Sequence, residues 1–205
     1  DALNLYYNKN YFKSQIILQK ILKINPDHFP TLFLLATLSA QNKNFEKAIL
    51  LFYKCVKINP NHAEAYINLG NVFQELGDYE KSIKSYKKAI KLKNNFSTAY
   101  FNQGNAYSEL GKFKDSILAY KKAIMLNPKY IKAHNNLGNA YQKIGLFNKS
   151  ILSYKKAINI DANYAIAYQG MGNTFKELGE TNKAILNYDK ALAIEPNNLT
   201  FNWLS

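Results

Sequence analysis

Asn68, Asn102 and Asn136 recur thirty-four residues apart, and three places further on Asn71, Asn105, Asn139 and Asn173 recur at the same interval. A carboxamide carries two N–H donors and an acceptor oxygen, so a row of them can pair with the N–H and C=O groups of an extended peptide while ignoring its side chains. Ile67 and Phe101 adjoin the first column and offer apolar contacts, and Lys132 offers a cation. No catalytic set accompanies them. His28 and His62 stand in equivalent turns too distant from each other to share one metal, and His134 falls in an aromatic place, as a packed histidine would. Cys55 replaces a small alanine in its column and reads as packing rather than as a nucleophile. Gly170-Met171-Gly172 follows no strand and lacks the third glycine of a dinucleotide fingerprint. The expectation is a chain with no enzyme active site, no metal and no cofactor.

Such columns serve a ligand only if repeated elements hold them in line. The phrases AYINLGNVFQELGDYEKSIKSYKKAI, AYFNQGNAYSELGKFKDSILAYKKAI and AHNNLGNAYQKIGLFNKSILSYKKAI align without gaps from Ala65, Ala99 and Ala133. Pro26, Pro60, Pro128 and Pro196 keep the same period, with Asn94 and Ala162 in the two places where proline is missing. The full units are then 29–62, 63–96, 97–130, 131–164 and 165–198, preceded by a partial repeat over 1–28 that holds the end of one helix and a second helix. Residues 199–205 start a further helix without a polar cap, so the chain reads as a fragment of a longer protein.

Within a unit, Tyr66, Leu69, Gly70 and Phe73 fall on one face of a first helix, A. Leu76-Gly77-Asp78 ends it, and Tyr79, Ser82, Ile83, Tyr86, Ala89 and Ile90 draw the apolar stripe of a second helix, B. Gly70, Gly104, Gly138 and Gly172 cost helix propensity, which implies a close approach; the small Ala48, Ser82, Ser116, Ser150 and Ala184 of helix B are the expected neighbours, with the bulky Phe52, Tyr86, Tyr120, Tyr154 and Tyr188 filling the remainder. Subtracting these core places from helix A leaves the two asparagine columns on its remaining face.

The pattern of an aromatic, a leucine, a glycine, an aromatic, a small residue, an aromatic and an alanine resembles the tetratricopeptide repeat family, whose eighth signature place is proline. In 63–96 these places hold Tyr66, Leu69, Gly70, Phe73, Ser82, Tyr86, Ala89 and Asn94. Gln103, His134, Ala36 and Ser39 depart from it. The resemblance implies an all-α, right-handed α-solenoid of stacked helix-turn-helix repeats with helix A lining a concave groove. It also implies a protein or peptide partner held in an extended conformation. Chaperone-binding members use a carboxylate clamp; Asn71, Asn102 and Lys132 fit three of its places, but Ile67 and Asn136 stand where cations are needed, which disfavours that ligand. The column Asn68, Asn102, Asn136 is also similar to the asparagine ladder of the repeat superhelix of O-linked N-acetylglucosamine transferases. The alternative reading is therefore a substrate-recruiting arm of a transferase.

The net charge of +13 rests entirely on lysine, because the chain has no arginine. Base-specific nucleic-acid recognition thereby loses its commonest instrument. Lys20, Lys54, Lys88, Lys122, Lys156 and Lys190 form a column on helix B, off its apolar stripe, so an acidic partner on the convex side is an electrostatic option. No apolar run is long enough to span a membrane. A single cysteine leaves no disulfide framework and favours the cytoplasm.

Overall fold

The computed structural model describes residues 2–8 and 10–196, and among them it contains helices and turns but no strand. The seven-residue segment after the fifth full repeat lies outside the described residues. Two units of stacked helix pairs divide the chain, residues 1–95 and 96–205. The first holds α1 (Ala2–Tyr7), α2 (Tyr11–Ile24), α3 (Phe29–Gln41), α4 (Phe45–Ile58), α5 (Ala63–Glu75) and α6 (Tyr79–Leu92). The second holds α7 (Ser97–Glu109), α8 (Phe113–Leu126), α9 (Ile131–Lys143), α10 (Phe147–Ile160), α11 (Ala165–Glu177) and α12 (Thr181–Ile194). From α3 onward the odd-numbered helices are A helices, and the even-numbered ones are B helices from α2 onward.

Each A–B turn closes in the same way. Gly77, at φ +74°, takes the left-handed conformation that lets the Asp78 N–H reach back to the Phe73 carbonyl at 2.9 Å. The Asp78 carboxylate then accepts from the Lys81 N–H and starts α6. Lys43 adopts φ +58° at the corresponding place between α3 and α4, so that turn makes the reversal without glycine.

The core of each unit is a file of helix B aromatics. Phe52, Tyr86, Tyr120 and Tyr154 are almost completely buried. The tyrosine rings, rather than the small residues of helix B, lie nearest the space left by the helix A glycines. A Cβ placed on Gly70 would lie 2.6 Å from Tyr86 Cε1, and one on Gly138 would lie 2.6 Å from Tyr154 Cε1. The glycines therefore make room for a ring where the sequence suggested a small-on-small contact. In the first unit, Leu32, Leu35, Leu38, Leu69, Val72 and Phe73 complete the packing. His134 is buried and donates from Nε2 to the Pro128 carbonyl at 2.9 Å, as its aromatic place requires. Cys55 is fully buried, and burial pushes its thiol up to about 11, which leaves almost no thiolate at neutral pH.

Candidate functional site

The second asparagine column is built from helix A outward and held from helix B. In α5 and α6, the Tyr86 hydroxyl donates to Asn71 Oδ1 at 2.7 Å, with Gln74 Oε1 close by at 3.1 Å. The pairing recurs in the second unit: Tyr120 to Asn105 at 2.9 Å, Tyr154 to Asn139 at 2.5 Å and Tyr188 to Asn173 at 2.8 Å. In every case the two residues are fifteen apart. The buried phenol spends its only proton on the amide oxygen, and this bond fixes which end of the carboxamide faces the helix pair. Desolvation accordingly raises the Tyr154 hydroxyl to about 12 and pushes Tyr120 higher still.

One repeat shows that the two partners change together. Thr37 stands where the column would place asparagine, and Phe52 stands where it would place tyrosine. With no phenol to satisfy, no amide is needed, and Thr37 turns its hydroxyl to the Phe33 carbonyl of its own helix at 2.9 Å. Sequence reasoning found the column but missed the tyrosines that orient it. The constant separation of fifteen residues was the signal.

The consequence alters the chemistry expected of the column. A free asparagine offers donors and an acceptor alike, whereas Asn105, Asn139 and Asn173 have their oxygens engaged by tyrosine. Asn139 and Asn173 are exposed residues, and the tyrosine bond takes one lone pair of each oxygen and leaves Nδ2, a donor suited to carbonyl oxygens, uncommitted to it.

The first column behaves differently. Asn68, Asn102 and Asn136 are half-buried. Asn136 donates from Nδ2 to Asn105 Oδ1 at 2.9 Å and accepts from Asn135 Nδ2 at 3.2 Å, so the two columns are joined in a chain of amides. Asn135 itself is buried, and its Oδ1 has no partner. The first column stops at Gly170 for a steric reason: a Cβ there would lie 2.6 Å from Tyr154, whose ring fills the place of a side chain.

The remaining site residues fall on both sides of the expectation. Ile67 is half-buried and Lys132 exposed, so both are accessible on their helices. Phe101 is a correction. It packs against Tyr120 and Tyr130, with ring centroids 6.0 and 4.8 Å away, and belongs to the core rather than to a contact surface. Although it shares its repeat place with Ile67, the longer aromatic side chain reaches inward to those rings.

Two hollows border the asparagines, one in each unit. The first, of about 360 Å³, is lined by Ala40, Phe45, Val72, Asn68, Asn71 and Glu75. The second, of about 620 Å³, is more polar and includes Gln142, Lys143, Phe147, Asn173, Lys176 and Glu177. No cluster of three or more histidine, cysteine, aspartate or glutamate side chains suited to a metal exists among the described residues. None of the described helices is long and apolar enough to cross a membrane.

Comparison with known proteins agrees with this construction. Family profiles described as TPR repeat match residues 70–111 and 104–145, and profiles described as tetratricopeptide repeat match 29–62, 51–84, 131–164 and 165–198. These matches concern the repeat alone and do not bear out the likeness to the transferase superhelix. No curated protein matches the sequence significantly. Among solved structures, MamA protein is 28% identical with a TM-score of 0.77, over 85% of this chain and 95% of that one. YrrB, described as a TPR protein with an unusual peptide-binding site, is 20% identical with a TM-score of 0.76, over 90% and 95%. Pseudomonas aeruginosa pilF is 16% identical with a TM-score of 0.81, over 98% and 91%. At those two lower identities the likeness is one of fold.

Proposed function

Since this chain belongs to the tetratricopeptide repeat family, a family of protein-interaction scaffolds, we propose that it binds an extended segment of a partner protein along the helix A faces of its repeats. The repeats are 29–62, 63–96, 97–130, 131–164 and 165–198, with 1–28 contributing a partial one. Asn68, Asn71, Asn102, Asn105, Asn136, Asn139 and Asn173 contact the backbone of that segment; Ile67 adds an apolar contact and Lys132 a cation. The scaffold itself performs no catalysis.

The observation that carries this reading is the tyrosine bond to each amide of the second column. It gives those amides one orientation, so their donors meet a ligand already ordered, and little rotamer entropy remains to be lost on binding. The peptide-binding site ascribed to YrrB, a protein of the same fold, is in keeping with a peptide ligand.

The test starts from peptides selected on the wild-type chain out of a random displayed library. Asn102→Ala/Asn136→Ala should bind the selected peptides about tenfold or more weakly, the loss of two hydrogen-bonding side chains at about 1 kcal/mol each, while its helical circular dichroism is unchanged. Equal affinity for the variant would reject the asparagine mechanism.

A further inference from the structure

The exposed faces of three B helices in the second unit carry a second pattern, separate from the asparagines. Leu118 in α8, Leu152 in α10 and Leu186 in α12 occupy one repeat place and are 63%, 57% and 55% exposed. On a helix of 100° per residue, Leu118 lies opposite the buried stripe of Ser116, Tyr120 and Ala123. Packing therefore does not account for it, nor for its two equivalents. A lysine follows each leucine by four places, at Lys122, Lys156 and Lys190, and so stands one turn away on the same face. The three helices together hold eight lysines against two aspartates. Lys122 and Lys156 make no ion pair among the described residues.

We propose that this leucine–lysine face of α8, α10 and α12 docks on the surface of an anionic lipid bilayer. Charge settles the sign of the partner: a second copy of a chain at +13 is repelled by this face, and an anionic surface is attracted. The distribution of the apolar groups settles its kind. A partner helix needs contiguous anchors along one groove, whereas these leucines stand singly on separate helices, each beside a lysine. A bilayer interface asks for no groove. Each leucine enters between headgroups independently, and the lysine stems lie along the apolar boundary with their ammonium groups among the lipid phosphates and carboxylates. The absence of arginine fits as well, because a diffuse anionic layer needs point charges and not the bidentate fork that grips a protein carboxylate.

The test is cosedimentation of the chain with vesicles of phosphatidylcholine containing phosphatidylserine, against vesicles of phosphatidylcholine alone, at physiological ionic strength. The chain should sediment with the former only. Leu118→Gln/Leu152→Gln/Leu186→Gln, which keeps the charge, should lower the partition coefficient about tenfold. Lys122→Gln/Lys156→Gln/Lys190→Gln should lower it to a similar degree. A direct reading that avoids multiple substitution is Leu152→Trp in a Trp203→Phe background, Trp203 being the chain's one tryptophan. Its fluorescence should be quenched by brominated acyl chains. Absence of sedimentation with the anionic vesicles would overturn the proposal. So would an unquenched Trp at 152, or a leucine variant that binds vesicles and soluble polyglutamate as well as the wild type does, since the attraction would then be that of any polycation for any polyanion.

Discussion

At the scale of single residues, the tyrosine hydroxyl is the group on which the candidate site depends. Removing it from Tyr154 takes away the donor to Asn139 while leaving the ring that fills the space beside Gly138. Tyr154→Phe should cost about 1 kcal/mol in denaturant unfolding, the ordinary value of one such bond, and should weaken peptide binding by releasing the amide to rotate. The same burial makes a prediction about alkali. An unfolded tyrosine ionises near pH 10, whereas Tyr154 in the fold is raised to about 12 and Tyr120 is also raised. Their contribution is therefore intact below about pH 10 and declines as the pH rises toward the folded values, by about 1.4 kcal/mol per pH unit for each residue. Urea titrations through that range should show midpoints falling with pH, and falling less in Tyr154→Phe. The asparagine columns were legible in the sequence because recurrence at a fixed period needs no coordinates. The tyrosine bond to each oxygen of the second column was not, because it depends on where a phenol ends up after its ring has packed. Phe101 was misplaced for a related reason: a helical wheel gives the direction of a side chain but not how far it reaches.

At the scale of the helix pair, most of the architecture could be read directly. The 3.6-residue spacing of Tyr66, Leu69, Gly70 and Phe73 describes α5, and Gly77 with Asp78 marks both its end and the start of α6. The reason for Gly70 could not be read, since glycine in a helix can admit a backbone, a small residue or a ring. The structure supplies the ring, and this sets the consequence of filling the gaps. Gly138→Ala gains helix propensity but drives its methyl into Tyr154, against which Gly170 also packs. A net loss of about 1–2 kcal/mol is expected, and a similar one for Gly104→Ala, whose methyl would meet Tyr120 at the same 2.6 Å. Thermal melts of the two variants beside the wild type would check both. The turn at Lys43 is the opposite case: its φ of +58° would suit glycine better, so Lys43→Gly should be neutral or slightly stabilising.

At the scale of the whole molecule, a chain of like repeats presents like surfaces, and the departures from repetition identify where function can be specific. The thirty-four-residue period carried the family, and with it the all-α solenoid class, from sequence alone. Identity of the partner has no such signature, because a scaffold that reads peptide backbone leaves few side-chain preferences in its own sequence. The tyrosine bonds to the oxygens of Asn105, Asn139 and Asn173 sharpen the proposal: if the column binds a peptide, its free Nδ2 donors call for carbonyl oxygens of the ligand in register. The most direct test is calorimetric titration of a selected peptide against two sets of its own variants, one with each side chain replaced by alanine and one with each backbone amide replaced by an ester, which weakens the carbonyl as an acceptor. The expected result is a nearly flat alanine series and an ester series with losses of about 1 kcal/mol at several consecutive positions. An ester series as flat as the alanine series, or binding carried by one or two side chains, would contradict recognition of the backbone by asparagine.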